Sequence, residues 1–275
     1  MTAFLKMHGL GNDFAIFDAR KQDLVLDETT AKAVADRRFG IGCDQVIVIE
    51  KSPKADAFMR VFNADGGIVE SCGNATRCVA RLLMDEKGKS EVRIDTLGGL
   101  LVCTDAEDGA VTVDMGEPGL AWDEVPLARP TDTNTFSLNV DGTEHIAAAV
   151  STGNPHCVLF VEDAERAAVE RIGARIEHHP MFPERTNVEF VTPLSRDRLR
   201  MRVWERGVGV TVACGTGACA TAVAAHRRGL ADRKVEVVLD GGVLGIEWRE
   251  RDGHVLMTGP STLTYKGDID LKALA

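Results

Sequence analysis

The sequence predicts an α+β fold built from two similar halves, each a set of strands wrapped around one central helix. Three observations carry that prediction. The chain repeats itself at an offset of 142 residues, so that Met59-Arg60-Val61-Phe62 falls on Met201-Arg202-Val203-Trp204 and Gly11-Asn12 falls on Gly153-Asn154. Internal repeats are the first organisational signal to seek in a chain. Short β-rich runs punctuated by glycine turns dominate both copies. Each copy also holds one long helical stretch, and the two stretches begin at equivalent cysteines, Cys72 and Cys214.

Each element of the first copy has a counterpart in the second. Strand-forming residues at 4–17 are broken by the Gly11-Asn12 turn, and those at 147–161 by Gly153-Asn154. Helical stretches follow at 29–38 and 165–176. Strands are expected at 46–50 and 58–62, matched by 188–191 and 199–204. A glycine-rich turn then leads to the cysteine and the long helix. These helices stop at Gly88 and Gly229, each just after a basic residue, as helix C-termini commonly do. Strands at 92–94, 100–104 and 111–115 close the first copy; 235–239, 243–248 and 254–258 close the second. The offset drifts to 143 beyond the first long helix, where Gly98-Gly99 falls on Gly241-Gly242. The second long helix is mostly Ala with Cys, Thr and Val and lacks a polar face until its last turn, so it is expected to be enclosed by sheet.

Residues 120–143 contain Pro126 and Pro130, have no partner in the first copy, and read as a linker. Residues 263–275 lie beyond the second copy and read as a strand added elsewhere. The expected lobes are therefore 1–118 plus 263–275, and 119–262, with the linker inside 119–145.

Composition limits the partners. With 275 residues the chain suits one large or two ordinary domains. It is 44% apolar but only 5% aromatic, so its core must be Val, Leu, Ile and Ala. A net charge of −10 argues against nucleic acid and anionic membranes. It leaves a small molecule as the expected partner, since an anionic one needs only local positive potential. Seven scattered cysteines, an odd number, with no signal-peptide pattern, read as cytoplasmic thiols and not a disulfide framework.

Cys72 and Cys214 each stand where a turn delivers the chain into a helix. The first turn leaves backbone N–H groups unpartnered within the helix and carries partial positive charge. Both effects favour a thiolate and are expected to lower its pKa below the ~8.5 of free cysteine. Glycines at 73, 215 and 217 let a ligand approach the backbone, which can hold a carboxylate as other helix N-termini hold phosphate. Two such thiols are what inversion of a carbon alpha to a carboxylate requires. One abstracts the proton, the other donates from the opposite face, and the helix ends stabilise the enolate-like charge. Cys43, Cys78, Cys103, Cys157 and Cys219 read as small buried hydrophobes. The cysteine spacings do not fit structural zinc, and no metal is expected.

The runs Gly9-Leu10-Gly11-Asn12-Asp13-Phe14, Phe62-Asn63-Ala64-Asp65-Gly66, Cys72-Gly73-Asn74, Gly153-Asn154-Pro155-His156, Glu205-Arg206-Gly207 and Ala213-Cys214-Gly215-Thr216-Gly217 together resemble the diaminopimelate epimerases, in order and over nearly the whole chain. One departure is Ala75, where many members carry Gly. The resemblance implies two pseudo-symmetric lobes, each a barrel-like mixed β-sheet around a central helix. It implies an isomerase without cofactors that interconverts LL- and meso-2,6-diaminopimelate for lysine and peptidoglycan precursors, and it allows a homodimer.

Carried onto this chain, the resemblance makes Cys72 and Cys214 the acid–base pair. Backbone N–H groups at Gly73, Asn74, Gly215 and Thr216 would hold the reacting carboxylate. Asn12 and Gln45 would lie near the reacting amino group. Asn63, Asn154, Asn187 and Arg206 would grip the distal carboxylate, Glu205 would meet the distal ammonium, and His156 with Glu205 would polarise the thiols. Arg206 suits its part because a guanidinium binds carboxylate bidentately. Two rival readings are a proline or hydroxyproline racemase, which needs no distal clamp, and a non-catalytic redox switch or small-acid-binding protein.

Overall fold

The computed structural model describes residues 1–70 and 72–274. Along the chain run β1 (Thr2–Gly9), β2 (Asn12–Asp18), α1 (Glu28–Ala35), β3 (Gln45–Glu50), β4 (Ala57–Asn63), β5 (Ile68–Val69), α2 (Gly73–Lys87), β6 (Glu91–Thr96), β7 (Gly99–Asp105) and β8 (Val111–Asp114). There follow β9 (Phe136–Val140), β10 (Thr143–Ser151), β11 (Pro155–Phe160), α3 (Val169–Glu177), β12 (Asn187–Ser195), β13 (Arg198–Glu205), β14 (Gly209–Thr211), α4 (Gly215–Arg227), β15 (Lys234–Leu239), β16 (Gly242–Trp248), β17 (Val255–Gly259) and β18 (Thr262–Ile269). The chain forms two compact units, Met1–Val113 with Thr258–Ala275, and Asp114–Met257.

In the first unit β18, β1, β2, β3, β4, β6 and β7 pair in that order, with β5 also on β4. The β2–β3 and β4–β6 pairs are parallel and the others antiparallel. The β1–β2 turn holds Leu10 at φ 57° and Gly11 at φ 87°; glycine tolerates the left-handed region readily, whereas leucine adopts it at a cost. Phe14, Ala15, Ile16 and Phe17 form an unbroken buried run on β2, as expected of a strand covered on both faces. Helix α2 packs on β1, β6 and β7 and ends at Gly88, which takes a left-handed φ of 62° and returns its N–H to the Met84 carbonyl.

The second unit repeats this plan. Here β9, β10, β11, β12, β13, β15 and β16 pair in order, with β14 also on β13. Parallel pairs again occur at the equivalent places of the copy, β11–β12 and β13–β15. Helix α4 packs against β10, β11, β12, β13, β15 and β16, and every residue from Gly217 to Ala225 is buried. Sheet encloses it, which an alanine-rich helix permits because small side chains let strands approach from all sides.

The stretch read as linker holds a strand. Phe136, Leu138 and Val140 of β9 are buried while Ser137 and Asn139 face out, the alternation of a half-covered strand. β9 lies antiparallel beside β10, just as β18 lies antiparallel beside β1. The first unit therefore takes its outer strand from the end of the chain, and the second takes its own from the connecting segment. Prolines at 126 and 130 give that segment the look of a loop, but both precede the strand.

Phe4 joins β1 to β18: its ring lies against Phe17 and edge-on to Tyr265, and a Cβ placed on Gly267 would meet it at 2.8 Å. Replacing Phe4 by Ala empties that contact and should cost about 3 kcal/mol, the usual range for a buried phenylalanine. Urea unfolding measures this, and a loss under about 1 kcal/mol would show that β18 is held chiefly by its backbone ladder.

Candidate active site

In the first unit the expected residues gather at the start of α2. Cys72 is the N-cap of α2 in an extended conformation (φ −144°, ψ 110°), and it is half-buried. Its Sγ lies 3.9 Å from Asn12 Oδ1. The same oxygen accepts a hydrogen bond from Asn74 Nδ2 at 3.2 Å. Asn12 Nδ2 in turn donates to Asp44 Oδ2 at 2.9 Å. Asn12, Cys72 and Asn74 thus form one connected group. Gln45 and Asn63 form another, joined by Nε2 to Oδ1 at 2.9 Å. Gly73 and Asn74 begin α2, whose first turn carries no acidic side chain to offset the positive end of the helix.

A charged network underlies the Asn12 turn. Arg37 binds Asp13 through two hydrogen bonds, at 2.8 and 3.2 Å, and reaches Asp44 at 2.7 Å. Lys6, itself buried, lies 2.6 Å from Asp13. Burial pushes the Asp13 carboxyl up, but the Arg37 and Lys6 contacts outweigh it and hold the group down to about 2. The network fixes Asp13 and Asp44, and Asp44 fixes Asn12.

In the second unit Cys214 is the N-cap of α4 and is buried. Its sulfur accepts the N–H of Gly217 at 3.4 Å and lies 3.5 Å from Thr216 Oγ1. Burial pushes this thiol well above the ordinary cysteine range, and the negative charges of Glu205 and Glu189 add to the rise. Thr216 and the Gly217 N–H pull the other way without reversing it. The expectation of a lowered pKa at a helix start therefore fails for Cys214. Desolvation and two nearby carboxylates exceed the helix-end effect.

The other residues of this half are tightly tied. Asn187 is buried; its Nδ2 donates to the Pro155 carbonyl at 3.0 Å and its Oδ1 accepts the Arg206 N–H at 2.9 Å. Arg206 Nη1 donates to the Glu184 carbonyl at 3.0 Å. Glu205 accepts a hydrogen bond from Thr211 Oγ1. Thr152 Oγ1 reaches the Thr216 carbonyl at 3.3 Å. Gly215 and Thr216 open α4, again with no acidic side chain in the first turn. His156 is fully buried, with Nδ1 2.6 Å from Glu189 Oε1 and Nε2 2.9 Å from Asn154 Oδ1. The ring is thus engaged at both nitrogens.

A family model for diaminopimelate epimerase matches residues 4–121 and 148–264, one segment for each repeat. The diaminopimelate epimerase of Acidiphilium cryptum is 50% identical over 272 residues, covering 99% of this chain and 98% of the relative. That of Sphingopyxis alaskensis is 52% identical, covering 97% of each. The chain belongs to the diaminopimelate epimerase family. Among solved structures, a probable proline racemase from Agrobacterium radiobacter matches with a TM-score of 0.71 at 16% identity, covering 98% of this chain and 93% of that one. A predicted epimerase from Pseudomonas aeruginosa matches at 0.69 and 18%, covering 98% and 99%. At 16% and 18% identity these likenesses show the fold of the chain alone.

Two features of the site are not evident from the sequence patterns. The Lys6–Asp13–Arg37–Asp44 network joins residues distant along the chain, and nothing local announces it. Glu189 was legible in principle: a lone acid in the apolar run Val188-Glu189-Phe190-Val191 stands where the first copy has Ile47. The remaining cysteines behave as expected. Cys43, Cys78, Cys103, Cys157 and Cys219 are buried, and burial raises Cys43 to about 11 and Cys78 and Cys103 to about 12.

The Asp13 carboxyl is held below its unfolded value, so its contribution to stability is present above about pH 4 and disappears as pH falls through 2. Asp13→Asn should flatten the acid limb of the stability curve between those limits, measured by urea midpoints across pH. An acid limb as steep as that of the wild type would show that Asp13 is not linked to folding.

Proposed function

We propose that this protein is a cofactor-independent isomerase that interconverts LL- and meso-2,6-diaminopimelate, in the cytoplasm, for lysine and peptidoglycan-precursor synthesis. One observation carries the reading above all. In a chain half identical to diaminopimelate epimerases, the two repeats place a cysteine at the same structural point, the residue just before the central helix.

The chemistry follows from that placement. The α-hydrogen of an amino acid is weakly acidic, and its removal leaves charge that spreads onto the carboxylate. N–H groups of Gly73 and Asn74, and of Gly215 and Thr216, are the donors for that charge, since a helix offers its first N–H groups no internal partner. Cys72 and Cys214 act as the two bases. The raised Cys214 is protonated at neutral pH, as the donor in one direction must be. In the reverse direction the thiolate it becomes is the acceptor, by microscopic reversibility. High thiol basicity also narrows the gap to a weak carbon acid. Asn12, held by Asp44, keeps its oxygen on the Cys72 side, where Gln45 and it meet the reacting ammonium.

The far end of the substrate requires a second set of groups. Asn63, Asn154, Asn187 and Arg206 take the distal carboxylate and Glu205 the distal ammonium. Asn187 supports Arg206 by accepting its backbone N–H. Proline has no second head and would leave these groups idle, which favours the longer dicarboxylate.

Cys72→Ala and Cys214→Ala should each reduce epimerisation of LL-diaminopimelate to background, followed by chiral separation of the products. Near-wild-type turnover by either variant would refute the two-thiol scheme. Turnover of proline in place of diaminopimelate would refute the substrate.

A further inference from the structure

The two units solve one structural problem in two ways. Phe14 on β2 pairs with Gln45 on β3, and His156 on β11 pairs with Asn187 on β12, at the same repeat offset. Two residues further along the third strand of each copy stand Ile47 and Glu189. All four side chains, Phe14, Ile47, His156 and Glu189, are at 0% exposure. The fold is therefore satisfied by an apolar pair at these positions. A buried ionisable pair is at best level with such a pair in stability. The second unit holds charged chemistry that its architecture does not require.

The hydrogen bonds say what the pair does. His156 Nε2 lies 2.9 Å from Asn154 Oδ1, and with the amide turned that way the nitrogen is the donor and carries a proton. The 2.6 Å contact between Nδ1 and Glu189 Oε1 needs a second proton, on the ring or on the carboxyl. A neutral imidazole has only one N–H. With Nε2 donating to Asn154, the Nδ1–Oε1 contact holds a further proton between the ring and the carboxyl. Burial of Glu189, which raises its carboxyl pKa, acts in the same direction. The ionisable neighbours are Cys157 on β11 and Cys214 at the start of α4, both raised further by Glu189, with Glu205 on β13 acting on Cys214 in turn. Gly217 makes room: a Cβ there would lie 2.8 Å from Glu189 Oε1 and 3.2 Å from Cys214 Sγ.

We propose that Glu189 is a positioning residue that acts through His156 on Asn154. The second proton keeps Nε2–H on the Asn154 carbonyl oxygen, which leaves the amide NH2 as the end offered to a substrate carboxylate. An ionised Glu189 over a neutral ring would take the only proton at Nδ1. Asn154 would then turn its NH2 to the bare Nε2 and present its carbonyl oxygen, which repels a carboxylate. This assignment rests on the reading of Asn154 as a carboxylate ligand.

Three proteins test it with LL-diaminopimelate: wild type, Glu189→Gln, and the double variant His156→Phe with Glu189→Ile, which copies the pair of the first unit. A glutamine amide donates to Nδ1 in place of the second proton, so Glu189→Gln should keep KM near wild type. The double variant should fold and raise KM by on the order of tenfold or more, the worth of one hydrogen bond to a charged group. A folded double variant with wild-type KM would overturn the proposal, as would a Glu189→Gln enzyme equally impaired. Should the double variant fail to fold, imidazole 15N spectra of the wild type decide, with the His156 signals identified from their absence in His156→Gln. A protonated Nε2 is expected, and an unprotonated one overturns the assignment. If the wild type turned over no diaminopimelate, the functional reading would fail while the spectrum still reported on the pair.

Discussion

The backbone N–H groups at the start of α2 and α4 are the constraint on which the proposed site depends. A helix cannot satisfy them internally, and each helix here begins with glycine and carries no acid in its first turn. The strands around each helix are what hold its first turn in place. Cysteine occupies the N-cap, where Ser, Thr, Asp or Asn would ordinarily close the helix end. A thiol caps poorly: Cys214 accepts one long contact from Gly217, and the Cys72 side chain makes no such cap bond. At α4 the thiol cap therefore takes up little of the donor capacity of the helix end, which is the condition for binding a carboxylate there.

Duplication supplies two such ends, and divergence makes them unequal. Cys72 is half-buried and linked to an asparagine, whereas Cys214 is buried near two carboxylates. Asn63 at the end of β4 is matched by Glu205 at the end of β13, and Phe14 by His156. In both contrasts the neutral member lies in the first unit and the ionisable member in the second. An enzyme that distinguishes the two ends of a nearly symmetric substrate needs that inequality.

Much of the fold was legible because the repeat fixed equivalent elements without any reference to propensity. The enclosure of α4 followed from its alanines. What resisted reading was set by burial and by contacts distant in sequence. β9 was hidden behind two prolines, although its alternation of Phe136, Leu138 and Val140 was present all along. The direction of the Cys214 pKa was reversed because helix position is local while desolvation is not. Glu189 replaces Ile47 of the first copy at the repeat offset, but only its buried contact with His156 gives that difference a meaning. The two cysteines at the helix starts were legible because a thiol that merely packs has no reason to recur at the same N-cap in both copies.

The claim that one thiol removes the proton while another supplies its replacement is tested most directly by isotope placement. Epimerisation of LL-diaminopimelate in D2O should, at early times, place deuterium at one α-carbon of the meso product and none in recovered substrate. The abstracting thiol holds the substrate's own proton, whereas the donating thiol has exchanged with solvent. Equal early labelling of substrate and product would mean that a single base serves both faces and would contradict the account.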